Sequence, residues 1–165
     1  MNNTTNYFLF LLVCFSVLTG CAQDWEQIKE IEGEIRLDRI GNSIGFDGTG
    51  NDVFIVSSKQ NQLRTYSQSE LVWESYSQNF PNEISLENPI VNNENGDIVA
   101  ISAYRDNSVY ILKKNSKNSW TIIGHIQGKE EEIHFGKKCD LSNDGKLIAI
   151  SSHYTNDSTN LIITL

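Results

Sequence analysis

The stretch Asp140-Leu141-Ser142-Asn143-Asp144-Gly145-Lys146-Leu147-Ile148-Ala149-Ile150-Ser151-Ser152 decides the fold. It reads as the end of one strand, a tight turn on Asp144-Gly145, and a near-continuous apolar strand closing on Ser. Gly suits such a turn because a short hairpin loop needs positive φ, which a residue without Cβ adopts at no steric cost. Two earlier stretches share the pattern, Thr49-Gly50-Asn51-Asp52-Val53-Phe54-Ile55-Val56-Ser57 and Asn95-Gly96-Asp97-Ile98-Val99-Ala100-Ile101-Ser102. Their closing residues Ser57, Ser102 and Ser151 stand 45 and 49 residues apart. Trp25, Trp73 and Trp120, the only tryptophans, stand 48 and 47 apart. A period near 47 in a strand-rich chain is that of a four-stranded propeller blade.

Counted from tryptophan to tryptophan, the repeats cover about 25–72, 73–119 and 120–165. The first and third copies match best, with Trp25, Ile28, Ile31 and Gly33 lying over Trp120, Ile123, Ile126 and Gly128. Val, Ile, Phe, Tyr, Trp and Thr fill the runs, while Asn, Asp, Ser and Gly fill the joints. Strands are expected over 25–31, 42–46, 53–57 and 62–66, then 73–77, 84–91, 97–102 and 108–112, then 120–126, 135–141, 146–152 and 160–164. The third strand of each set is apolar at consecutive positions, as when sheets pack on both of its faces. The run 62–66 alternates and is expected to be the more exposed fourth strand. No segment keeps a helical period, so the fold class is all-β, a partial β-propeller of three four-stranded repeats after an N-terminal segment.

The chain has 165 residues with 13 Lys and Arg against 21 Asp and Glu, a formal charge of −8, and every one of these lies after residue 20. An acidic chain without a basic run argues against nucleic acid as a partner. Of the three cysteines, Cys14 lies in an apolar run and Cys21 at its end, which leaves Cys139 without a disulfide partner.

Residues 7–18 are free of charge, and 12 residues are too few to cross a bilayer core as a helix but suit the apolar part of a signal peptide. The following Leu18-Thr19-Gly20-Cys21 resembles the bacterial lipobox, although no Lys or Arg precedes the apolar run. The resemblance implies a signal peptide over 1–20 and acylation of Cys21, palmitate included, with a membrane partner held through the lipid. Ala22 after the Cys, where some lipoproteins carry a retention Asp, implies placement at the outer membrane or cell surface. An ordinary secretory signal cleaved near Ala22 is the alternative.

Phe135-Gly136, then Asn143-Asp144-Gly145, then Ala149-Ile150-Ser151-Ser152 resembles the FG-GAP repeat of bacterial surface propellers, a pattern akin to WD40-like blades. Ile40-Gly41 and Ala100-Ile101-Ser102-Ala103 are partial echoes, and the second copy lacks the Phe-Gly pair. Related repeats bind Ca²⁺ through Asp and Asn oxygens in such turns. Asp47, Asp52, Asn93 and Asp97 are the nearest equivalents, but they lack the full alternation of carboxylates, and plain hairpin turns are the better reading. No cofactor is therefore expected.

His125, His134 and His153 do not pair at metal-ligand spacing, and Cys139 aligns with Ile44 as a core position. Tyr66, Tyr104, Tyr110 and Tyr154 flank strand ends, where packing between blades is the commoner role and stacking on a sugar or protein the other. The expected function is non-catalytic binding or scaffolding of a protein or glycan through the loops 58–61, 103–107 and 152–160. Alternatives are a fragment of a propeller-type hydrolase, with catalytic carboxylates along the central channel, and a truncated surface protein. Three blades would make a very tight ring, so an open arc capped by a partner or a truncated chain is expected, with completion as a homodimer behind them.

Overall fold

The computed structural model describes residues 27, 29–69, 72–81, 86–87, 89–116, 118–130, 132–154 and 159–164. The chain divides into two compact units, Met1–Ile31 and Glu32–Leu165. In the first, residues 27 and 29–31 are irregular, so the strand expected over 25–31 is absent at those positions. Lys29 and Glu30 are exposed there. The signal segment, Cys21 and Trp25 lie outside the described residues.

Among its described residues the second unit is all-β apart from one 3-10 turn, Tyr104–Asp106. Strands β1 (Ile44–Phe46), β2 (Asp52–Ser57), β3 (Gln62–Ser69) and β4 (Val72–Asn79) form the first antiparallel sheet in chain order. The second sheet repeats this with β5 (Ile90–Asn92), β6 (Ile98–Ala103), β7 (Ser108–Lys114) and β8 (Trp120–Gln127). In the third, β10 (Cys139–Leu141), β11 (Ile148–Tyr154) and β12 (Thr159–Thr164) follow in order, and the short β9 (Glu132–Ile133) pairs with the far end of β11. This sheet is three strands wide among the described residues. The pairs Ile44↔Ile55, Ile90↔Ile101 and Cys139↔Ile150 set the sheets in common register.

That register makes the turns superpose. The side-chain oxygens of Asp47, Asn93 and Ser142 accept the backbone N–H of Asp52, Ile98 and Leu147 at 3.0, 3.0 and 2.9 Å. Gly50, Gly96 and Gly145 follow three residues on, at φ 75°, 69° and 71°. The turns are also joined across sheets, since Gly48 N–H donates to Glu94 O at 2.6 Å and Glu94 N–H to Asn143 O at 3.1 Å.

Packing explains why the second strands have no polar face. Val99 and Ile101 of β6 join Phe54, Val56 and Leu63 of the first sheet in one core cluster. Ala100, between them, joins Phe135, Leu141, Ile148 and Ile150 in a second cluster. Successive residues of a strand face opposite sides, so a sheet between two others must be apolar on both.

The strand frame differs from the tryptophan count. Trp73 and Trp120 open the last strands β4 and β8, so they close their sheets rather than begin new ones. Periodicity fixes spacing and leaves phase open. Trp120 is buried because its indole reaches back to the preceding sheet, donating from Nε1 to Thr65 Oγ1 at 3.1 Å and meeting Phe54 edge-on at 5.6 Å. The run 62–66 is correspondingly a third strand between β2 and β4, and Gln62 to Thr65 are buried rather than exposed. The strand expected over 84–91 shortens to Ile90–Asn92, behind irregular Leu86, Glu87 and Pro89. That over 135–141 shortens to Cys139–Leu141, because Gly136 at φ 86° turns the chain.

The first sheet keeps an apolar face without a sheet against it among the described residues. The second sheet meets its predecessor through Ile90, Val99 and Ile101, and the third through Cys139, Leu141, Ile148 and Ile150. The matching residues of the first are Ile44, Phe46, Val53 and Ile55; Val53 and Ile55 of β2 are buried, and only Ile44 and Phe46 of β1 stand open, at 53% and 54% exposure. A Cβ on Gly96 or Gly145 would strike the preceding sheet, whereas one on Gly50 would meet nothing within 4 Å.

Candidate functional site

The ends of the sheets opposite those turns carry the β2–β3 and β6–β7 loops and the segments leading into β1, β5 and β10. Asn61 and Asn107 fix this rim. Both are left-handed, at φ 51° and 55°, a conformation that Asn tolerates better than most residues. Asn61 Nδ2 donates to Phe80 O and Pro81 O at 3.2 and 2.8 Å, and its Oδ1 accepts Leu86 N–H at 2.8 Å. Asn107 repeats this, donating to Lys129 O at 3.1 Å and accepting Phe135 N–H at 3.0 Å. Each loop is thereby tied to the leader of the following sheet.

Two clefts open along the rim. One of about 450 Å³, lined by Tyr104, Arg105, Asn107, Glu130, Glu132 and His134, lies between the second and third sheets, with the Tyr104 and His134 rings edge-on at 5.9 Å. The other, of about 260 Å³, lies between the first and second sheets and is lined by Leu37, Arg39, Ser58, Lys59, Glu87 and Arg105. The expected binding loops 58–61 and 103–107 thus border the clefts; residues 155–158 of the third loop lie outside the described residues.

The wall of the smaller cleft before β1 is held from beneath by a buried ion pair. Arg64 Nη2 meets Asp38 Oδ2 at 3.0 Å, with side chains 1% and 2% exposed. Arg64 Nε donates to Gln62 Oε1 at 2.5 Å, its Nη2 also bonds Gln60, and Glu34 N–H donates to Asp38 at 3.0 Å. Burial pushes the Asp38 carboxyl up, but hydrogen bonds from Ser57 and Glu34 N–H and the Arg64 charge together hold it below the usual range. Leu37 and Arg39, at φ 62° and 56°, flank Asp38 in the left-handed region, an arrangement that non-glycine residues keep only where surroundings enforce it.

On the cleft's other wall stands Glu87. Counted back from the register pairs, it holds the place of Gly41 and Gly136 in the neighbouring repeats, and its preceding residue Leu86 holds that of Ile40 and Phe135. The second copy of the Phe-Gly pair is therefore Leu86-Glu87, a carboxylate where the others have no side chain. Its Oε1 receives Arg105 Nε at 2.8 Å, while Oε2 is buried with no hydrogen-bond partner among the described residues. Burial raises the Glu87 carboxyl above its ordinary range against the opposing pull of Arg105.

The other candidate residues do not converge. Asp47 Oδ2 accepts the Thr49 hydroxyl at 2.6 Å, Asp52 pairs with Lys114 Nζ at 2.6 Å, and Asn93 Nδ2 donates to Asp97 at 2.7 Å. Their oxygens thus serve turns at the end of the sheets away from the clefts. Among the described residues no group of three or more His, Cys, Asp or Glu is placed to hold a metal. Cys139 packs against the second cluster, and burial pushes its thiol up to about 12. Tyr110 stacks on His125 at 4.5 Å and packs against the first cluster. Tyr104 reaches a cleft.

Sequence reasoning missed Arg39 and Glu87, while Arg105 falls within the expected loop 103–107 without having been singled out. The one signal that could have found Glu87 is its departure from the repeat, which becomes visible only once the strand register is fixed.

No family model and no curated protein matches the chain. Solved structures do. The β-propeller domain of Swd1 from Myceliophthora thermophila aligns with a TM-score of 0.58 at 16% identity, over 84% of this chain and 43% of that one. A Bacteroides uniformis protein named as a candidate 6-phosphogluconolactonase gives 0.56 at 12% identity, over 74% and 36%. A Desulfotomaculum acetoxidans protein of unknown function gives 0.53 at 17%, over 78% and 42%. The chain thus spans well under half the length of each of these structures, and at such identities the likeness is one of fold: these sheets are blades of a partial β-propeller.

Proposed function

We propose that the chain is a binding module of the cell envelope, anchored through acylated Cys21, that recognises a protein or glycan ligand along the loop rim and does no covalent chemistry. The observation that carries this reading is the pair of clefts on one rim, with loops pinned by Asn61 and Asn107. The module needs no resident Ca²⁺ in this reading. Full chain in detergent micelles should capture a ligand from a panel of envelope glycans and peptides and lose it when 104–107 is replaced by Gly-Ser. Capture that survives the replacement removes the rim from the reading. Cys21→Ser should move the chain out of the detergent-extractable membrane fraction, and unchanged retention would refute the anchor.

A second copy is the partner that the exposed Ile44 and Phe46 favour. The face is the one by which later sheets dock on a predecessor, so its complement is the trailing face of a sheet of the same kind, such as the third sheet of another copy. The protein mass in micelles, measured by light scattering, should be that of two chains, falling to one with Phe46→Glu. A single-chain mass for the unaltered protein would oppose completion by a second copy.

A further inference from the structure

The cleft between the first and second sheets carries positive charge on a chain whose formal charge is −8. Arg39, Lys59 and Arg105 line it from three separate segments, and the only carboxylate in the lining among the described residues is Glu87. Arg39 and Lys59 make no ion pair among the described residues, and Arg105 spends only Nε on Glu87, leaving other guanidinium N–H groups for a ligand. Asp106, next to Arg105, adds negative charge near Glu87 but does not line the cleft.

Three cations suit an oxyanion, and Arg offers it a planar fork of donors. The buried carboxylate in their midst asks for something else. Glu87 Oε2 lacks a hydrogen bond among the described residues, and a buried acceptor is costly to leave so unless something donates to it. A ligand bearing only an anionic group would leave it unmet. One with hydroxyls beside the anion would satisfy both demands.

Resting on the rim-binding reading, we propose that this cleft binds a small polyhydroxylated oxyanion, a phosphorylated sugar or polyol. Arg39, Lys59 and Arg105 take the phosphate, and the free Glu87 oxygen accepts a ligand hydroxyl. A cleft of about 260 Å³ has room for one sugar unit. The left-handed backbone at Leu37 and Arg39, held by the buried Asp38–Arg64 pair, keeps the Arg39 wall in place before any ligand arrives.

Calorimetry on the full chain in non-ionic detergent tests this with glucose 1-phosphate, glucose and inorganic phosphate. The sugar phosphate should bind more tightly than either half. Lys59→Glu and Arg39→Glu should each weaken it by about tenfold or more, on the scale of one lost charge-assisted hydrogen bond. Lys59 is exposed and makes no ion pair among the described residues, so the melting temperature of Lys59→Glu should hold. Glu87→Gln should narrow the advantage of the sugar phosphate over phosphate alone. Absence of sugar phosphate binding, or binding that none of the three substitutions alters, overturns the inference. Glucose binding that is lost on replacing 104–107 but shows no phosphate preference overturns it while leaving the rim reading intact.

Discussion

Arg64→Met is expected to destabilise the protein by about 3–5 kcal/mol, the usual effect of stranding one partner of a buried ion pair. Domain stabilities lie near 5–15 kcal/mol, so this one change would remove a large part of the margin. The loss arises less from the vanished attraction than from what remains: Asp38, 3% exposed, would keep a carboxylate with no cation beside it. Adding Asp38→Asn should therefore recover part of the loss, since the double variant buries no ion. Urea unfolding reads the result as a lower midpoint at constant slope. A loss under about 1 kcal/mol would show that water reaches the pair.

The acid limb gives a second reading of the same pair. The folded Asp38 carboxyl titrates below its unfolded value, so its stabilisation is complete above the ordinary carboxylate range and disappears as pH falls through the folded value. Asp47 acts in the same direction, its burial being outweighed by hydrogen bonds from Thr49 and the Asp52 and Asn51 N–H groups. In Arg64→Met one of the influences holding Asp38 down is gone, and acid unfolding should begin at a higher pH.

Alanine at Gly96 and at Gly50 should have unequal effects, although the two turns are alike. Both residues are left-handed, at φ 69° and 75°, which costs alanine about 1–2 kcal/mol. At Gly50 that is the whole penalty, because the new methyl points into open space. At Gly96 it would lie 2.8 Å from Asp47 Cβ and 3.1 Å from the Phe54 ring, both in the preceding sheet. Overpacking adds about 1–3 kcal/mol, so Gly96→Ala should lose about 2–5 kcal/mol in all. Gly145→Ala should fall between them, since its nearest contact, Ile98 Cδ1 at 2.7 Å, is the tip of a flexible side chain. Equal losses at Gly50 and Gly96 would mean that the turns do not nest on one another in solution.

The same contrast explains what the sequence made legible. The runs around Val53, Val99 and Ile148 announced strands buried on both sides, because they are short, rich in β-branched residues and bounded by Gly turns, which sets them apart from a buried helix. The tryptophan spacing gave the period. Its phase depended on Trp120 reaching Thr65, a contact between residues 55 apart that no local pattern encodes. Arg64 looked like the polar position of an alternating strand, and only the arrival of Asp38 from 26 residues upstream makes it interior. Cys139 and the Asp47 turn could be read locally because their neighbours in the chain already specify a strand and a hairpin.

The Gly48–Glu94–Asn143 chain of backbone bonds has a thermodynamic corollary. Modules coupled only to nearest neighbours behave as a one-dimensional array, and the middle member gains two interfacial energies where each terminal member gains one. Local opening should therefore begin at the flanks and reach β5–β8 last. The central blade is the keystone, and the outer two persist by leaning on it.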